Sequence, residues 1–413
     1  MLTDNSPSRA PRTRPTPSRP GWRALTAACA LAFSQVACSG SDDAPQLAPF
    51  DRAALEATVT RLKTELGVPG MVVLLDTPNG QLEMSLGTTT HKGSTPVSPD
   101  QHIRVGSNTK TWVGTVILQM VQEGKIALTD PVSRYRPDVP NGQNIRIEHL
   151  LNMRSGLFNY TEPLSFAKVI DADPLRVWDP EELVKLAYAQ APYFTPGNGY
   201  HYSNTNTVLL GLIAQSLDKK PLPDILRDRI FIPAGLTNTL FPATTSNAIP
   251  APYANGYMFG NNELTAPNPP RLPQAMLDAI AAGTLDPVDH TFDNPSWGWA
   301  AGAGISTARD LFKWVRALGN GTLLTPEMQR IRLGSVRPTD PTRPTSADYG
   351  LGIARFLRAM YGHTGELPGY NSFMGHDPSN KVTLVIWVNM APTPEGLDPA
   401  TTTARTLLGQ IYR

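Results

Sequence analysis

The sequence predicts one α/β lobe split by a large, mostly helical insertion. Three observations carry that expectation. Helix- and strand-period patterns occupy both ends of the chain, from Phe50 to Lys125 and from Trp297 to Tyr412. Between them, residues 128–294 show short helical pieces separated by proline- and glycine-rich loops, without convincing strand alternation. The length, 413 residues, exceeds what one hydrophobic core usually supports, so two lobes are expected. The expected division is an α/β lobe of residues 50–127 and 295–413, and a mostly helical lobe of residues 128–294.

Residues 1–38 stand apart from both. Arg9, Arg12, Arg14, Arg19 and Arg23 precede an apolar run from Ala24 to Phe33 that ends near Cys38. A basic start, a short apolar stretch and small residues before a break read as an export signal. The run is too short to span a membrane as a folded helix. Cys38, one of only two cysteines, would become the first residue after cleavage. This resembles a bacterial lipoprotein, with Cys38 carrying the lipid and residues 39–49 serving as a linker; simple secretion is the alternative. Gln35 stands where that signal normally has an aliphatic residue. With Cys29 inside the apolar run, the body of the protein has no disulfide framework. Residues 1–38 hold five arginines and one aspartate; against a whole-chain charge of +1, the remainder carries −3. No basic stripe is left to track a nucleic-acid backbone.

From Phe50 the elements run in order. Leu55, Val59, Leu62 and Leu66 keep helical spacing, and Gly67 with Pro69 ends that helix. Met71–Asp76 and Gln81–Leu86 read as strands joined by a Pro78-Asn79-Gly80 turn. Residues 106–124 read as a helix with a wide apolar face that includes Trp112, Val113, Val116, Ile117 and Met120. Ile147–Met153 and Pro180–Ala189 are the clearest helical pieces of the insertion. After Trp297, Thr307 with Asp310 marks a capped helix start. Leu351–Phe356, Tyr370–Gly375 and Val382–Asn389 read as strands, and Ala400–Tyr412 as a closing helix.

Ser107-Asn108-Thr109-Lys110 places a hydroxyl and an amine on one helical face at the start of the long apolar helix. A neutral lysine can take a serine's proton and so activate it as a nucleophile. A second pair, Ser165 and Lys168, lies in a short polar piece and lacks this setting. Serine also commonly caps helices, so Ser107 alone is ambiguous. Tyr202-Ser203-Asn204 follows a turn-rich stretch and precedes an apolar run. A tyrosine of lowered pKa can act as base or acid, and an asparagine amide can hold a carbonyl. Tyr253-Ala254-Asn255 repeats the pattern and shows how common it is. His363-Thr364-Gly365 lies between two predicted strands, flanked by Gly362 and Gly369. Its backbone N–H groups could help hold an oxyanion.

Together and in this order, the three stretches resemble the serine penicillin-recognising family: DD-peptidases, class C β-lactamases and their esterase relatives. The likeness is nearest to secreted D-alanyl-D-alanine carboxypeptidases, which have Tyr-x-Asn and a histidine before Thr-Gly. It extends over about residues 50–413 through Arg104-Val105-Gly106, Leu150-Leu151-Asn152, Ser155-Gly156-Leu157 and Tyr349-Gly350-Leu351-Gly352. The resemblance implies an antiparallel sheet flanked by N- and C-terminal helices with a large all-helical insertion. It implies acylation of Ser107, proton transfer shared by Lys110 and Tyr202, and Asn204 orienting the substrate amide. The backbone N–H groups of Ser107 and Glu366 would form the oxyanion hole. His363, Thr364 and Gly365 would bind substrate and tune the field over Tyr202. No cofactor or metal is implied.

Glu366 departs from the family pattern, because a carboxylate there would repel a substrate's free C-terminal carboxylate unless a cation such as Arg355 or Arg358 pairs with it. Trp297, Trp299, Phe158 and Tyr160 are candidates for cleft walls or for core. The leading expectation is an exported D-alanyl-D-alanine carboxypeptidase acting on peptidoglycan stem peptides. An esterase, a D-amino-acid amidase or aminopeptidase, and a β-lactamase share the mechanism; a silent envelope-binding protein is the non-enzymatic rival. An α/β-hydrolase would need Gly-x-Ser-x-Gly, and its nearest match, Gly304–Ala308, reads as a helix start. A fluorophosphonate or labelled penicillin should acylate the protein, with Ser107→Ala abolishing the labelling and Ser165→Ala leaving it intact. Labelling that persists in Ser107→Ala would remove Ser107 as nucleophile.

Overall fold

The computed structural model describes residues 45–266, 272–343 and 346–413. The expected export signal, Cys38 and most of the linker lie outside the described residues. Among those described, no helix is long and apolar enough to cross a membrane.

The fold is built on a sheet of eight antiparallel strands. In chain order they are β1 (Gly70–Thr77), β2 (Gly80–Gly87), β3 (Arg337–Pro338), β4 (Asp348–Tyr349), β5 (Ala354–Phe356), β6 (Met360–Leu367), β7 (Tyr370–Asp377) and β8 (Val382–Val388). Their order across the sheet is β2-β1-β8-β7-β6-β5-β4-β3. Five helices cover the sheet or carry residues of the site: α1 (Arg52–Glu65), α2 (Thr109–Gln122), α3 (Asn204–Asp218), α4 (Ala308–Asn320) and α5 (Pro399–Ile411).

Side-chain alternation decides which helix covers which face. Met71, Val73 and Leu75 of β1 and Leu384, Ile386 and Val388 of β8 bury against Leu55, Val59 and Leu62 of α1 and Ala404, Leu407 and Leu408 of α5. The intervening Val72, Leu74, Val385 and Trp387 face the other way, into the core that contains Leu311, Trp314 and Val315 of α4 and most of α2. Both terminal helices thus share one face. The insertion supplies α3 and shorter helices, as expected, and adds one small ladder that the sequence did not suggest: Tyr257–Met258 pairs with Val288–Asp289.

Strand β6 positions the site. The sequence pattern sets His363-Thr364-Gly365 between two strands, whereas it lies within β6 and pairs along its length with β7, Gly365 opposite Ser372 and Glu366 opposite Asn371. On its other side only Met360–Gly362 pair with β5. The edge from His363 onward is left to the 3-10 turn Gly106–Asn108 that precedes α2. Glycine permits this approach. A Cβ on Gly365 would stand 1.9 Å from the Val105 carbonyl oxygen, and one on Gly106, whose φ is +55°, would stand 2.4 Å from the Glu366 nitrogen.

Candidate active site

The backbone crossing at Gly106 and β6 fixes where Ser107 sits. The Val105 carbonyl accepts from Asn108 Nδ2 at 3.1 Å and from Ser372 Oγ at 3.2 Å, while Asn108 Nδ2 also reaches Ser372 Oγ at 2.8 Å. Turn and sheet are tied together by these buried bonds. Ser107 rides on the turn, half-buried, and no side chain caps α2. The turn that carries Ser107 packs closely on the Glu366 backbone through Gly106.

Lys110 lies one turn on, 1% exposed. Its Nζ is 2.9 Å from Ser107 Oγ, 2.7 Å from Asn204 Oδ1 and 2.7 Å from the Ala301 carbonyl oxygen. Desolvation holds its pKa well below that of a free lysine, with no carboxylate among the causes to oppose it. A neutral amine has two N–H donors and one lone pair. The Ala301 and Asn204 oxygens can only accept, so they take the two donors. The lone pair is then left for the Ser107 hydroxyl proton.

Asn204, the first residue of α3, is held in its turn by Asn159 and Thr161. Its backbone N–H donates to Asn159 Oδ1 at 3.0 Å and its Nδ2 to Thr161 Oγ1 at 3.1 Å, which leaves Oδ1 for Lys110. Tyr202 places its ring 4.8 Å from Lys110 Nζ. Burial raises the Tyr202 pKa, outweighing the opposing effect of Ser107. The lowered pKa considered from sequence is therefore reversed, and Tyr202 is a neutral phenol, a donor.

His363 is buried, and both ring nitrogens are taken. Nδ1 lies 2.6 Å from the Thr364 carbonyl, which can only accept, so Nδ1 carries the proton; Nε2 then accepts from the Tyr349 hydroxyl at 3.0 Å. Burial, then the nearby Lys110, lowers its pKa to about 3. His363 therefore supports the wall beside Tyr202, with ring centroids 6.1 Å apart, and has no nitrogen free for substrate. Thr364 is half-buried and Gly365 buried.

Ser107, Asn204 and Glu366 line one cleft of about 220 Å³, with Thr161, Phe166, Ile170, Met258, Trp297 and Leu367 among its walls. Of the four aromatic candidates only Trp297 lines it. Trp299 and Tyr160 are core, and Phe158 stacks on Tyr193 at 5.2 Å. Arg355 does not reach Glu366; it bonds Asp348 at 2.8 Å. The second Ser–Lys pair is unconnected to the cleft chemistry: Ser165 is exposed and Lys168 pairs with Glu263 at 3.3 Å. Ser306, the α/β-hydrolase candidate, is buried and bonded to Thr239 at 2.8 Å. Tyr349, Asn159 and Thr161 were missed from the sequence as site residues. The only signal was their place in or beside family-like segments.

The profile of the beta-lactamase family matches residues 55–408. The putative penicillin-binding protein PbpX of Bacillus subtilis is 25% identical over 329 residues, covering 79% of this chain and 72% of that protein. A second penicillin-binding protein of that organism is matched over 62% of its length, so the chain spans less than two thirds of it. Among solved structures, the D-stereospecific amidohydrolase from Streptomyces sp. is 29% identical with TM-score 0.72, over 86% of this chain and 98% of that one. The D-amino acid amidase from Ochrobactrum anthropi SV3, complexed with L-phenylalanine amide, is 26% identical with TM-score 0.70, over 86% and 96%. These two are by name an amidohydrolase and an amidase, where the sequence motifs alone led to carboxypeptidases.

Because the folded His363 stays neutral down to about pH 3 and the unfolded one titrates near ~6.5, unfolding takes up a proton between those values. Stability from this group is complete above pH 6.5 and falls by about 1.4 kcal/mol per pH unit on acidification. Urea unfolding at pH 7 and pH 5 should show the wild type losing about 2 kcal/mol more than His363→Gln over that interval. Equal losses would mean that the folded ring is already free to protonate.

Proposed function

This chain belongs to the beta-lactamase family and has the fold of a serine hydrolase, and from that premise we propose that it hydrolyses small amides of D-amino acids through an acyl-enzyme at Ser107. The observation that carries the catalytic part is the buried Lys110 amine, 2.9 Å from Ser107 Oγ with both N–H donors directed at oxygens that can only accept. Ser107 Oγ attacks the amide carbonyl as its proton passes to the Lys110 lone pair. The backbone N–H groups of Ser107 and Glu366 receive the developing oxyanion. As the C–N bond breaks, Tyr202 gives its phenolic proton to the departing nitrogen and is reprotonated from the Lys110 ammonium. Water then attacks the ester by the same route and frees the acid. Asn204 orients the substrate while holding Lys110, and His363 with Tyr349 keeps Thr364 and Gly365 in line.

Three features support a small amide over a peptidoglycan stem peptide. The cleft, about 220 Å³, is smaller than the ~300–1,000 Å³ usual for larger ligands. Glu366 opens into it, and among the described residues no cation pairs with it to welcome a free C-terminal carboxylate. The amidohydrolase and amidase are similar to this chain across nearly their whole lengths. The same reading places the cleft between a lobe of residues 50–127 and 295–413 and a helical lobe of residues 128–294, because both line it. It includes export directed by residues 1–38, with lipid attachment at Cys38, on the strength of the basic and apolar pattern there.

A turnover panel tests the substrate. D-phenylalanine amide and a short ester should be hydrolysed, with L-phenylalanine amide and a D-Ala-D-Ala peptide slower by about tenfold or more, a difference of about 1.4 kcal/mol in the barrier, and nitrocefin slow to deacylate. Faster turnover of the D-Ala-D-Ala peptide than of the amide would restore the carboxypeptidase reading.

A further inference from the structure

Glu366 poses a problem that the acylation chemistry does not use. Its backbone N–H belongs to the proposed oxyanion hole, but its side chain is a carboxyl group in the substrate cleft. Alternation along β6 turns Thr364 and Glu366 toward the same side, and Glu366 is the strand's one exposed residue. Its Oε2 accepts from Asn371 Nδ2 at 3.3 Å. Asn371 is oriented by the α5 end, because its Oδ1 accepts the Ala400 N–H at 2.9 Å. Asp398 precedes α5 as its N-cap residue, yet its side chain makes no capping bond and instead stands near enough to Glu366 to raise the pKa of that carboxyl group. Among the described residues neither carboxyl group has a lysine, arginine or histidine partner. The candidate cation Arg355 is committed to Asp348.

Two carboxyl groups held close together resist ionising at the same time, so the site gains from one positive charge, such as a single ammonium. Its location is equally specific: Glu366 follows Gly365 on β6 and lines the cleft together with Ser107, and the apolar walls Phe166, Ile170, Met258 and Trp297 lie on the same cleft. A substrate whose carbonyl sits at Ser107 and whose side chain lies on those walls carries its α-amino nitrogen two bonds from the carbonyl carbon, on the β6 side of the cleft. Although the side chain is open to the cleft, desolvation by the cleft walls and then the Asp398 carboxyl raise the Glu366 pKa well above the usual range. An arriving cation reverses that cost.

Resting on the amidohydrolase reading for the kind of substrate, we propose that Glu366 and Asp398 form the subsite that receives the free α-ammonium group of the substrate. The enzyme then selects amino-acid amides and esters with an unblocked amine, and rejects N-acylated ones and those presenting a carboxylate at this place.

Binding to the full chain carrying Ser107→Ala tests this without turnover. Calorimetry should show D-phenylalanine amide binding at least about tenfold tighter than N-acetyl-D-phenylalanine amide, and added Glu366→Gln should bring the two within about twofold. Asp398→Asn, which leaves the β6 backbone untouched, should reduce the same ratio, and its result decides if the Glu366 variant fails to fold. Equal affinities in the starting protein, or a ratio unchanged by the folded variants, overturns the ammonium subsite. Amide turnover by the wild type without amine preference defeats this inference alone. Amine preference in a protein that cleaves no amide defeats the amidohydrolase reading and leaves the subsite standing.

Discussion

The desolvated amine of Lys110 is the constraint on which the site depends. A charged ammonium taken from water without a carboxylate partner is costly, and the usual response is to shed the proton. In the proposed mechanism that response is also the chemistry, because a neutral amine beside a serine is a base. The surroundings can hold the neutral form. Ala301 contributes a carbonyl, Asn204 contributes a side-chain oxygen oriented by Thr161, and the remaining lone pair meets Ser107. The same burial raises the Tyr202 pKa and lowers that of His363. One environment thus divides the roles: amine as acceptor, phenol as donor, imidazole as a neutral strut.

The scaffold supplies the desolvation. α2 is buried along most of its length against the sheet and the insertion, and Lys110 lies in its first turn. The turn before α2 is held to the sheet through the Val105 carbonyl, Asn108 and Ser372. Because Gly106 and Gly365 allow backbone contact there, Ser107 is pinned against an open strand edge. Side chains at those two positions would separate the serine from the N–H groups proposed to serve it.

Much of this fold is legible in the sequence, and the reason is periodicity. β1, β2, β7, β8 and α5 each lie within a residue or two of the expected bounds, and α1 and α2 within three, because each has one strongly apolar face or is buried on both. β6 was not legible as a strand. Its glycines break the apolar alternation, and they are present because backbones crowd it: a Cβ on Gly362 would lie 1.9 Å from the Met374 carbonyl oxygen. The short ladder of Tyr257 with Val288 was hidden for a similar reason, since two-residue strands carry no period. The site was legible in part. The order of Ser107, Tyr202 and His363 pointed to one cleft, but residue identity could not give the direction of the Tyr202 pKa, which comes from burial. Nor could it tell that His363 spends both nitrogens on Tyr349 and Thr364, or that Arg355 turns away from Glu366. These are facts about neighbours far apart in the chain.

The measurement that bears most directly on the account is the ionisation of Lys110 itself. In protein with carbon-13 at the lysine ε positions, and the Lys110 resonance assigned with Lys110→Arg, an NMR pH titration reports it without substrate. The account predicts a midpoint well below the ~10.4 of free lysine. A Lys110 that stays charged to that value or beyond would contradict it.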